Sequence, residues 1–140
     1  MNRIAHKISE VDAACVFFPR PLELHSDHRN TALLVWAAVQ ELSSEGMAVN
    51  AYFYEIGVQN PVNIFIDITA QRPRKEQAMT IYASQNDENN YEESVLSLGK
   101  GRTFTLSGGV SHAEGFYLYS KEELATSLKE VTHNIIDLYF

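Results

Sequence analysis

Leu24-His25-Ser26-Asp27-His28 gathers two imidazoles and a carboxylate in one short segment, the donor types that hold zinc or another transition metal. His112 and Glu114, flanked by glycines, could complete such a site if the fold brings them near. The plainer reading is capping: His, Ser and Asp gather ahead of helices because their side chains satisfy free backbone groups. Glu55 and Asp67 form a second constellation, two carboxylates inside otherwise apolar segments, where burial could raise their pKa values toward acid–base work. Phe53 and Phe65 share their faces, so Phe53, Glu55, Phe65 and Asp67 outline a candidate binding surface. A solvent-facing side of a half-covered sheet explains the carboxylates more simply.

Other chemistry has little support. No Gly-x-Ser-x-Gly elbow is present, and Cys15 falls on an apolar helical pattern. Ser107-Gly108-Gly109 lacks the strand-to-helix context of a phosphate loop. Arg72-Pro73-Arg74-Lys75 reads as a solvated basic turn.

The elements that must position these residues follow from hydrophobic spacing. Ile4, Ile8, Val11 and Cys15 predict a helix over residues 3–15, ended by Phe17-Phe18-Pro19, with an irregular loop through residue 29. Asn30 caps a predicted helix over residues 31–44, closed by Gly46 and apolar on nearly every side from Ala32 to Val39. Residues 49–58 and 62–69 alternate as a hairpin about Gln59-Asn60-Pro61, and Met79, Ile81 and Ala83 suggest a third strand. Tyr91, Val95 and Leu98 share a helical face that Gly99 and Gly101 end; residues 103–106 and 115–119 read as a second hairpin. Ser120 and Glu123 form a capping box for a helix running toward the C-terminus. Along it Leu124, Leu128, Val131, Ile135 and Leu138 keep heptad spacing, a core face or a dimer seam.

The 140 residues suit one domain around one core, and a formal net charge of −7 disfavours nucleic acid. A lone cysteine, no signal-like apolar segment and no run near the ~20 residues of a membrane span point to a cytoplasmic protein without membrane contact.

Taken together, the expected fold is α+β: an antiparallel sheet of about five strands, a meander plus a hairpin, packed against two or three helices. Residues 1–29 would be an N-terminal helix and loop, and residues 30–140 an α-β-β-β-α-β-β-α core of the same domain. That element order resembles the small dimeric chaperones of type III secretion. The resemblance implies a homodimer that offers an apolar surface to a protein partner, with no cofactor and no catalysis. The expected function is therefore a non-catalytic binding or protein-interaction domain. Two alternatives stand beside it: a small metal-dependent hydrolase using His25, Asp27 and His28, and a small-molecule-binding protein.

Overall fold

The computed structural model describes residues 2–138. Among them, four strands and seven helices occur in the order α1 (Arg3–Glu10), β1 (Cys15–Pro19), α2 (Ser26–Ser44), β2 (Asn50–Tyr54), β3 (Ile64–Asp67), α3 (Arg72–Met79), α4 (Ala83–Asn89), α5 (Tyr91–Gly101), β4 (Ala113–Leu118), α6 (Lys121–Leu124) and α7 (Leu128–Asp137). The strands form one mixed sheet, ordered β1-β2-β4-β3. The α+β class holds, but the all-antiparallel arrangement does not: β1 and β2 run parallel, Cys15 opposite Asn50 and Pro19 opposite Tyr54. β3 and β4 are antiparallel, Ile64 opposite Phe116 and Asp67 opposite Ala113.

The N-terminal helix stops before Cys15 because of its C-cap. Asp12 adopts a left-handed φ of 49°. The Asp12 N–H donates to the Ser9 carbonyl at 3.1 Å and the Ala13 N–H to that of Ile8 at 3.1 Å, the paired bonds of a Schellman motif. The chain is thereby released as β1, and Cys15 is exposed at its start rather than buried on a helix. The same motif closes α2: Gly46 at φ 85° donates to Ser43, and Met47 donates to Leu42 at 2.9 Å. An α-helical crossover then joins two parallel strands, the arrangement a two-residue hairpin cannot make.

Contacts divide the chain into two compact units, residues 1–54 with 117–140 and residues 55–116. In the first, α2 buries Ala32, Val35, Trp36, Ala38, Val39 and Leu42, whereas Leu33 and Leu34 are exposed, so the helix is covered on one side and not all round. Ala5 and Ile8 of α1 pack with Ala38, Leu42 and Val49. The C-terminal helix is two helices. Ser120 and Glu123 make the anticipated capping box, but Ser127 starts α7 afresh, accepting from the Glu130 N–H at 3.2 Å. Carbonyls left free at the break are met from α2: Gln40 Nε2 donates to Thr126 O at 2.7 Å and Trp36 Nε1 donates to it at 3.2 Å. Leu128, Val131 and Ile135 of the heptad pattern belong to this unit's buried core, Leu124 is partly exposed, and Leu138 lies exposed beyond α7.

In the second unit the suggested strand at residues 79–83 is instead the end of α3 and the start of α4, with Met79 buried and Ile81 exposed. Three residues of alternation cannot outweigh the continuous backbone bonding that carries this segment, from Thr80 back to Glu76 and from Tyr82 back to Met79. Residues 103–106 form no strand either. Their amides bond back three residues, Thr103 to Lys100 and Leu106 to Thr103, so no ladder develops.

Candidate functional site in the loop between β1 and α2

β1 ends at Pro19, and the chain passes through residues 20–25 before α2 begins. A loop at the carboxyl end of a parallel strand, leading into a helix, is where α/β folds commonly place ligands. Two charged side chains anchor its base. Arg20 is 1% exposed, with its guanidinium 4.7 Å from the Phe53 ring centroid, and Glu23 is 2% exposed. Burial raises the hydroxyl pKa of the neighbouring Tyr119 far above its ordinary value, against the opposing pull of the Arg20 charge. Arg29 closes the loop from the first turns of α2, donating from Nη1 to the Glu23 carbonyl at 2.9 Å and to that of Leu24.

The three residues singled out for chemistry stand where this loop becomes helix. His25, not Asn30, is the N-cap: its Nδ1 accepts from the Asp27 N–H at 3.1 Å. That bond uses the Nδ1 lone pair, so the neutral ring carries its proton on Nε2. The His25 and His28 rings lie 5.3 Å apart, tilted by 43°. Asp27 Oδ2 stands 3.8 Å from His25 Nδ1, and both side chains are largely exposed. His28 is half-buried. The arrangement therefore contains one imidazole fixed as an N–H donor, one imidazole not engaged in capping, and an acceptor carboxylate between them in sequence.

His112 belongs to the other unit, where it is buried beside Ser111. Among the described residues, no three His, Cys, Asp or Glu side chains group so as to hold a metal ion. No described helix is long and apolar enough to cross a membrane.

The second constellation has a structural arrangement of its own. Phe53 is fully buried in the first unit, stacked on Tyr117 at 5.3 Å. Glu55, Phe65 and Asp67 belong to the second. Glu55 accepts from Arg102 Nε at 2.8 Å and from the Asn60 N–H at 2.6 Å, which ties down the turn after residue 55. Phe65 is partly exposed beneath the same guanidinium, 5.8 Å from its centroid. Asp67 is exposed and caps its own turn, and hydrogen bonds from Thr69 hold its carboxyl below the usual carboxylate range. Arg102 is the partner that sequence reasoning missed, because 47 positions separate it from Glu55.

The chain has counterparts among solved structures. It matches the conserved protein TT1542 from Thermus thermophilus with a TM-score of 0.70 and 21% identity over 84% of this chain. It matches GalB, the 4-carboxy-2-hydroxymuconate hydratase from Pseudomonas putida, with a TM-score of 0.62 and 21% identity over 84% of this chain. The fold is shared with both. This overturns the secretion-chaperone resemblance, which rested on an element order containing two strands that do not exist and omitting β1. The chain spans 57% of each matched structure, a little over half of their length. No family model and no curated protein matches it in sequence.

Proposed function

We propose that this chain carries part of an active site that adds water to a small organic acid, of the hydratase or metal-dependent hydrolase class. The site is the loop between β1 and α2. The single observation that carries the reading is the division of labour between His25, fixed as an Nε2–H donor, and His28, whose ring takes no part in the cap. The fold likeness to a hydratase supports the same class of chemistry.

The roles follow from the donor inventory. A divalent cation held in part by His28 would supply a water that ionises near neutral pH. Asp27, exposed and acceptor-only when ionised, would serve as the proton acceptor for an attacking water at this site. The His25 Nε2–H can donate to the substrate oxygen on which negative charge collects as the water oxygen bonds to carbon. The described residues do not themselves group into a three-ligand centre, so a cation at His28 would need further ligands from substrate, water or another chain. That same observation favours the second reading, binding without catalysis.

Turnover separates the two. The chain, supplied with Zn2+ or Mn2+, is assayed for consumption of 4-carboxy-2-hydroxymuconate, the acid for which the matched hydratase is named. Metal-dependent turnover that His28→Ala abolishes, and that His25→Gln lowers by about 100-fold with metal still bound, supports the proposal. Saturable binding of the acid without turnover, unchanged in both variants, selects the binding reading.

A further inference from the structure

The residue 55–116 unit contains a cleft of about 500 Å3, within the size range of small-ligand sites, lined among others by Arg72, Asn90, Glu92, Glu93, Lys100 and His112. Its charges are sorted by position. On α5, Glu92, Leu96 and Lys100 recur every four residues and so share a face, with the acidic and basic ends about 12 Å apart along the axis.

The basic end has a buried floor. His112 is 6% exposed, its Nδ1 lies 3.3 Å from Ser111 Oγ, and the Ser111 N–H is held by Thr69 Oγ1 at 2.9 Å. Burial first, then the charges of Arg72 and Lys100, lower the pKa of this imidazole; Glu76 opposes them, and Lys75 adds a smaller lowering effect. The ring is accordingly a neutral hydrogen-bonding group near pH 7, set among cations. Arg72 is bonded to Glu76 at 2.6 Å and Lys75 to Glu114 at 2.7 Å, whereas Lys100 is exposed and makes no ion pair among the described residues. An anion entering beside Lys100 would meet one free ammonium, the Arg72 guanidinium and a buried imidazole. At the other end the Glu92 and Glu93 carboxylates are available as hydrogen-bond acceptors, and Glu93 already takes one bond from Asn90.

We infer that this cleft is a binding site for a small polar molecule with an anionic group at one end, seated at Lys100, Arg72 and His112, and hydroxyl donors at the other, seated at Glu92 and Glu93. The inference uses no residue of the β1–α2 loop and stands or falls apart from the reading given for it. A carboxylate and a phosphate share the required chemistry, and gluconate, glucose 6-phosphate and glucose separate them.

The readout is the His112 imidazole resonance of the full chain, titrated with each probe. A saturable shift with gluconate, glucose 6-phosphate or both, a tenfold or greater loss of affinity in Lys100→Ala, and no response to glucose are expected. Gluconate alone would assign a carboxylate site, and glucose 6-phosphate alone a phosphate site. Lys121→Ala, a cation of the other unit, should bind as the wild type does. Far-UV circular dichroism confirms that Lys100→Ala is folded, and Arg72→Ala gives a second variant at the same end. Shifts that never saturate, equal responses to glucose, or wild-type affinity in folded Lys100→Ala and Arg72→Ala would overturn the inference.

Discussion

Arg102 Nε donates to Glu55 Oε2 at 2.8 Å, and both side chains are almost sealed from water, at 13% and 3% exposure. The pair links the residue after β2 to the end of α5 within one unit, and the Asn60 amide and carbonyl complete its bonding. Glu55, one of the residues of the candidate binding surface, thus also anchors a turn.

Removing one partner should expose the consequence of that burial. Arg102→Ala leaves the Glu55 carboxylate buried without its countercharge and should destabilise the protein by about 3–5 kcal/mol, whereas Glu55→Leu combined with Arg102→Leu should recover much of that loss. Urea unfolding of the variants measures both. Equal destabilisation by the single and double changes would contradict this account.

Asp12 sits at φ 49°, where a side chain adds strain that glycine lacks. Asp12→Gly should leave stability unchanged or raise it by up to about 1 kcal/mol, and Asp12→Val should lower it by about 1–2 kcal/mol. Thermal unfolding distinguishes these signs.

Ser127 gives a cap whose value can be read directly. Ser127→Ala removes the acceptor for the Glu130 N–H and should cost about 1 kcal/mol, with Ser127→Asp close to the wild type. Chemical denaturation with unchanged m-value is the check.

Burial and neighbouring cations place the His112 pKa below its ordinary 6.5. The unfolded chain therefore binds a proton at this position at higher pH than the folded chain does. Its contribution to stability is constant above about 6.5, falls as pH drops from there toward the folded pKa, and levels off below it. His112→Gln should flatten that part of the stability–pH curve; an unaltered slope would count against it.

What the sequence made legible depended on how local the determining interaction is. The α2 C-cap was visible because Gly46 announces a left-handed residue, while the identical motif after α1 went unseen because Asp12 carries it. β1 followed from that omission, since a helix assumed to reach Cys15 consumes the strand. Ser127 and Glu130 repeat the spacing of Ser120 and Glu123, but the heptad pattern across them concealed the break that Gln40 and Trp36 stabilise from α2. At the site, the residue types of His25, Asp27 and His28 were plain from the chain, and both the capping and the chemical readings were available. The bond from the Asp27 amide to Nδ1 is what assigns the two imidazoles different roles.

That distinction is the centre of the functional account, and imidazole 15N shifts during titration of the chain with Zn2+ test it most directly. The account predicts that a His28 nitrogen moves to a metal-coordinated shift while His25 keeps its proton on Nε2 and its acceptor at Nδ1. Coordination through His25 with loss of its Nε2 proton, or no response from His28 at saturating metal, would contradict it.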